Sequence, residues 1–100
     1  MKDNADVSVI AELWDVIAER AKHPSEESYT SRLLTDKKGI DKVLEKVGEE
    51  STEFILAVKN RVPARTEEEA ADLLYHILVA LKASGVELSA VMDELKKRRK

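Results

Sequence analysis

Two acidic pairs carry the most chemistry in this chain. Glu50 and Glu53 lie three residues apart within KVGEESTEFILAV, residues 46–58. Glu69 and Asp72 repeat the spacing within EEEAADLLYHILVAL, residues 67–81. Helical residues at i and i+3 face the same side, so each pair presents its oxygens together. Antiparallel packing of the two segments would converge four carboxylates on one pocket. Hard oxygen ligands, with no cysteine and few histidines, suit Mg²⁺, with Mn²⁺ as the alternative. The competing explanation is pairing with Lys or Arg, plus favourable interaction with a helix N-terminus. That account suffices for Glu67 and Glu68. It is weaker for Asp72, which falls a turn inside an apolar segment where capping no longer explains it. A carboxylate held near a core is costly unless a cation or hydrogen bonds compensate it.

Basic and aromatic residues surround these pairs. Lys42 and Lys46 lie one turn apart on the flank beside Glu49 and Glu53, where they could meet phosphate oxygens as point charges. The plainer account of Lys46 is an intrahelical pair with Glu49 or Glu50. Lys59, later on the same segment, is a weaker phosphate candidate. His76 follows Asp72 by four residues and reads first as a partner in an intrahelical hydrogen bond. Trp14, spaced with Ile10 and Ile17, reads as core, and Tyr75 as core or interface.

The elements that must position these groups follow from periodicity. Val9, Ile10, Leu13, Trp14 and Ile17 recur at helical spacing, so a first helix is expected over about residues 8–22, ended by Pro24. Ser28 can cap a short second helix carrying Leu33 and Leu34. A third helix is expected over about 40–60, with Val43, Val47 and Phe54 in one apolar stripe and Glu50 at its margin. Gly48 inside it costs up to about 1 kcal/mol relative to alanine, and such a glycine often admits a close neighbour. Thr66-x-x-Glu69 reads as a capping box opening a fourth helix that Gly85 stops. That helix is apolar around nearly its whole circumference, the pattern of a buried helix. Ser89 can cap a fifth helix carrying Val91, Met92 and Leu95. No strand pattern or repeat is present. The expected fold is an all-α bundle of four to five helices, centred on two long antiparallel ones.

Composition sets the outer bounds. One hundred residues make one domain, expected over 8–98 after a flexible stretch over 1–7. Formal net charge is −3, and the basic run KKRRK at 96–100 reads as a solvated tail rather than a nucleic-acid contact. No apolar run approaches the roughly 20 residues that span a bilayer, and residues 1–8 lack the apolar core of a signal peptide. The absence of cysteine excludes disulfides and thiolate metal sites and accords with a reducing cytoplasm.

The stretches KVGEESTE at 46–53 and EEAADLLYH at 68–76, together with SYTSRLL at 28–34, resemble the phosphoribosyl-ATP pyrophosphatases of histidine biosynthesis. The E-E-x-x-E and E-x-x-D pattern is shared by the wider MazG-like superfamily of all-α nucleotide pyrophosphohydrolases. The resemblance covers about residues 9–98. It implies hydrolysis of phosphoribosyl-ATP to phosphoribosyl-AMP and pyrophosphate, dependence on Mg²⁺, and a homodimer. It places Glu50, Glu53, Glu69 and Asp72 as metal ligands, and Glu49 as a further acidic group for a second metal or the attacking water. It puts Lys46 at a motif lysine and Ser28, Tyr29 and Thr30 near the substrate. The single-function form is expected, without a fused cyclohydrolase.

Three rival readings differ in their residues. A broad (d)NTP pyrophosphohydrolase would share the acidic site and differ in its base pocket. A di-iron bundle wants Glu-x-x-His on two helices, but Leu56 and Asp72 stand where those histidines would be. A non-catalytic helical interaction module would tolerate loss of Glu53 or Asp72. On the apolar fourth helix, Tyr75, Leu78 and Val79 are the expected contacts of a homodimer.

Overall fold

The computed structural model describes residues 3–99. Five helices follow in order: α1 Ser8–Lys22, α2 Tyr29–Leu34, α3 Ile40–Lys59, α4 Pro63–Ser84 and α5 Leu88–Lys97. No strand occurs among the described residues. Asp6, just before α1, accepts the Ser8 N–H at 3.1 Å. The expected loose stretch over 1–7 includes Met1 and Lys2, which lie outside the described residues. The Ser28 hydroxyl accepts the Ser31 N–H at 3.2 Å and caps α2 as expected.

Helices α3 and α4 form a hairpin and are the most extensively packed pair. Only Asn60, Arg61 and Val62 join them, and so short a connection makes its helices antiparallel neighbours. Arg61 turns the chain with a positive φ of 56°. The core is one cluster of Ile17, Leu33, Val43, Leu78 and Val79, drawn from α1 to α4. Trp14 packs at its edge, with the Lys82 ammonium 5.8 Å from its ring centre.

Several local expectations are corrected. Helix α4 opens at Pro63 rather than at a Thr66 capping box. Proline suits the first helical position because its fixed φ is already helical and its missing N–H would have had no partner there. Helix α5 is preceded by Glu87, so Ser89 lies inside it and does not cap it. A Cβ at Gly48 would meet nothing within 4 Å, so no neighbour within the chain approaches closely there. Lys96 and Lys97 belong to the last turn of α5, near Asp93 at 3.8 Å and Glu94 at 2.9 Å, rather than to a tail. Lys100, the end of that basic run, lies outside the described residues.

Helix α4 is not buried all round. Leu74 and Ile77 are exposed, whereas Leu78 and Val79 are core. Leu78 and Val79 are therefore unavailable as dimer contacts, because α1 and α3 already use that side. No single helix among the described residues is long and apolar enough to cross a membrane.

Candidate active site

The buried line of α3 runs through Val43, Glu50 and Ala57, each two turns from the next. On α4, Glu69 and His76 hold the matching places. Glu50 and Glu69 are only 8% and 3% exposed, so both carboxylates lie in the seam between the long helices. The angular argument from apolar residues had put Glu50 at the margin of that seam. Glu50, Glu69 and Asp72 each offer an oxygen within 4.8 Å of the others. Glu53 and Asp72 are more exposed, and Glu53, the fourth expected ligand, lies outside that three-oxygen group, although its charge acts on both Glu50 and Glu69.

Two cations reach the buried pair, one for each carboxylate. Lys46 Nζ lies 3.1 Å from Glu49 Oε2 and 3.7 Å from Glu50 Oε1. Arg65 Nη2 donates to Glu69 Oε1 at 2.6 Å, while Nη1 donates to Glu68 Oε2 at 3.0 Å. The second oxygens, Glu50 Oε2 and Glu69 Oε2, are buried and accept no hydrogen bond among the described residues. Burial first, and then crowding by Glu53, raises both carboxyls above the usual glutamate range. The opposing pull of Lys46 and Arg65 does not cancel this. Two orphaned anionic oxygens within a cluster of hard donors fit a divalent cation.

The remaining candidates divide. Lys46 is half-buried, and its hydrogen bond with Glu49 holds the ammonium above the ordinary lysine range. Lys42 is half-buried one turn earlier. Lys59 is exposed in the last turn of α3, outside the cavity of about 190 Å³ that Glu53, Asn60 and Arg65 line at the hairpin end. Ser28 caps α2. Thr30 is buried and hydrogen-bonded to the Tyr75 hydroxyl. The Ser31 hydroxyl donates to the Arg20 carbonyl at 3.0 Å, fastening α2 to α1. Of the S-Y-T residues, Tyr29 alone is exposed, at 40%. Burial raises its phenol pKa, and the charges of Lys46, Glu49 and Glu50 act on it across the site.

Sequence reasoning missed two contacts. Arg65 is absent from the candidates above, although its i,i+3 and i,i+4 spacing to Glu68 and Glu69 is visible in the sequence. His76 does make the expected local bond, from Nδ1 to the Asp72 carbonyl at 2.7 Å, but its Nε2 also meets the Tyr29 hydroxyl at 3.0 Å. Nothing in the local sequence signals a partner on another helix.

Comparison with known proteins identifies the family. The family described as phosphoribosyl-ATP pyrophosphohydrolase matches residues 10–99. A phosphoribosyl-ATP pyrophosphatase of Methanoregula boonei is 71% identical over 99 residues, covering 99% of this chain and 95% of the relative. Proteins of the same name from Methanoculleus marisnigri and Methanosphaerula palustris are 63% and 64% identical, each over 95 residues. They cover 95% of this chain, and 98% and 96% of the relatives. A match of this extent, over a helical hairpin with the acidic motifs in its seam, means that the chain belongs to the phosphoribosyl-ATP pyrophosphohydrolase family.

Proposed function

We propose that this protein hydrolyses phosphoribosyl-ATP to phosphoribosyl-AMP and pyrophosphate in histidine biosynthesis, in the cytoplasm. Family membership supports the substrate, and the observation that carries the chemistry is the pair of buried, unpartnered oxygens on Glu50 and Glu69. Glu50, Glu53, Glu69 and Asp72 would hold Mg²⁺, with Mn²⁺ as a substitute. Such a cation supplies Lewis-acid neutralisation of the polyphosphate and lowers the pKa of water in its shell. The chain's own groups do the positioning. Glu49, exposed and outside the three-oxygen cluster, would orient the attacking water and accept its proton at a carboxylate oxygen, or help hold a second cation. Lys46 offers its ammonium to phosphate oxygens as charge builds on them, with Lys42 one turn away and Lys59 at the far end of α3 in lesser parts. Ser28, as the cap of α2, and Tyr29 and Thr30, its first two residues, would lie near the substrate in this reading, and Tyr29 is the exposed side chain able to touch it.

The protein acts as a homodimer in this reading. Support comes from large apolar side chains left exposed on both long helices: Leu44, Ile55, Leu56 and Val58 on α3, and Leu74 and Ile77 on α4.

The test is pyrophosphate release from phosphoribosyl-ATP beside ATP and dNTPs, each with and without Mg²⁺. We expect Mg²⁺-dependent release with phosphoribosyl-ATP strongly preferred. Equal rates on dNTPs would replace this reading with a broad nucleotide pyrophosphohydrolase. Absence of release from every substrate would leave a non-catalytic module.

A further inference from the structure

The Tyr29–His76 contact fixes more than the seating of α2. His76 is 5% exposed. Its Nδ1 lies 2.7 Å from the Asp72 carbonyl oxygen, and a carbonyl can only accept a hydrogen bond. Nδ1 therefore carries the ring proton. In the uncharged ring Nε2 then has a lone pair and no hydrogen. The Tyr29 hydroxyl, 3.0 Å from Nε2, must donate to it. A phenol has one proton, so the outward side of the Tyr29 oxygen has only lone pairs to offer. Lone pairs repel phosphate oxygens and accept from hydroxyl or amino groups.

We infer that His76 makes Tyr29 an acceptor-only contact, which selects a hydrogen-bond donor of the nucleotide, a sugar hydroxyl or an amino group, and not a phosphate oxygen. The inference rests on the nucleotide reading of the site given above. Tyr29 is the specificity-determining contact, and His76 is a positioning residue acting through it. The ring packing agrees with a fixed arrangement. The Tyr29 and His76 rings meet edge to face at 5.8 Å and 83°, and Tyr75 stacks on Tyr29 at 6.2 Å. The anion-facing work then falls to Lys46, whose charge also acts on Tyr29.

Two measurements on the full chain test this. The first is ¹⁵N NMR of the histidine ring at neutral pH without nucleotide. It should show His76 protonated at Nδ1 and bare at Nε2. A ring protonated at Nε2, alone or together with Nδ1, would overturn the inference. The second is calorimetric titration with AMP and with pyrophosphate, both in the presence of Mg²⁺. Loss of one neutral hydrogen bond corresponds to roughly a three- to tenfold change. Tyr29→Phe should weaken AMP by that factor and leave pyrophosphate unchanged. His76→Gln, which can again place an acceptor opposite the phenol, should keep AMP affinity closer to wild type than His76→Asn. Unchanged AMP binding in Tyr29→Phe, or an equal loss for pyrophosphate, would overturn it. AMP serves for any adenine nucleotide, so failure to turn over phosphoribosyl-ATP would sink the substrate assignment while the Tyr29 effect would still be read.

Discussion

Glu50 and Glu69 occupy seam positions that packing alone would give to leucine. Each has one oxygen near a cation and one buried oxygen that accepts no hydrogen bond among the described residues. Replacing Asp72 by Asn tests the cluster with little structural disturbance, because Asp72 is exposed. Outer-shell changes alone typically cost 10- to 100-fold. If Asp72 is a ligand as proposed, its replacement should therefore lower pyrophosphate release by more than about 100-fold while far-UV circular dichroism stays helical. Undiminished activity would remove Asp72 from the site. The titration of the buried pair gives a second expectation. Both carboxyls have folded pKa values raised above an unfolded value of 4.5, so their protonated forms favour the fold. That contribution is full below about pH 4.5 and is lost as pH rises through the raised values. A cation needs the deprotonated form, so its stabilising effect should grow over the same window. Melting with and without Mg²⁺ should therefore differ little near pH 4.5 and clearly at pH 8. A Mg²⁺ effect independent of pH would contradict this. The i,i+3 spacing of these carboxylates was legible in the sequence. Their burial was not, because it depends on which face of α3 meets α4.

At the scale of elements, periodicity together with cap candidates located the five helices, and errors fell at their ends. The Thr66 and Ser89 cap readings failed for a common reason. A hydroxyl residue can cap a helix or sit in its first turn, and the residues before it decide which. Pro63 and Leu88 extend their helices backward past those candidates. Gly85 was read correctly because its requirement is its own. It adopts φ 76° and ψ 20°, and its N–H returns to the Leu81 and Lys82 carbonyls. In that left-handed region a Cβ costs roughly 1–2 kcal/mol. Gly85→Ala should lower the melting temperature by about 4–8 °C per kcal/mol lost, without affecting Mg²⁺ affinity. No change in melting would mean that the α4–α5 turn relaxes freely. Gly48, by contrast, has open space beside it, so its helix-interior cost is not offset by any contact within the chain.

For the whole molecule, the question is what covers the long hairpin. One chain has a radius of gyration of 14.7 Å and extends 43 Å along its longest axis, against a radius of about 13 Å for a compact domain of this length. Its buried apolar core is small, and α5 contributes no buried residue. On α3, Leu44, Ile55 and Val58 are 50%, 63% and 47% exposed. At about 100° per residue they fall within one stripe about 60° wide. An ordered apolar stripe on an elongated chain is a surface that a two-fold partner closes economically, since one patch then covers itself. Sedimentation at micromolar concentration should give the mass of two chains. Ile55→Lys places a charge in the stripe, where burial against a second apolar stripe would be costly. It should move dissociation to higher concentration, and wild-type melting should rise with protein concentration where the variant's does not. Ile55 makes no contribution to the core of its own chain, so lost helicity in the variant is not expected. A wild-type species of one-chain mass with full activity would instead mean that the hairpin works with its apolar stripe open to water.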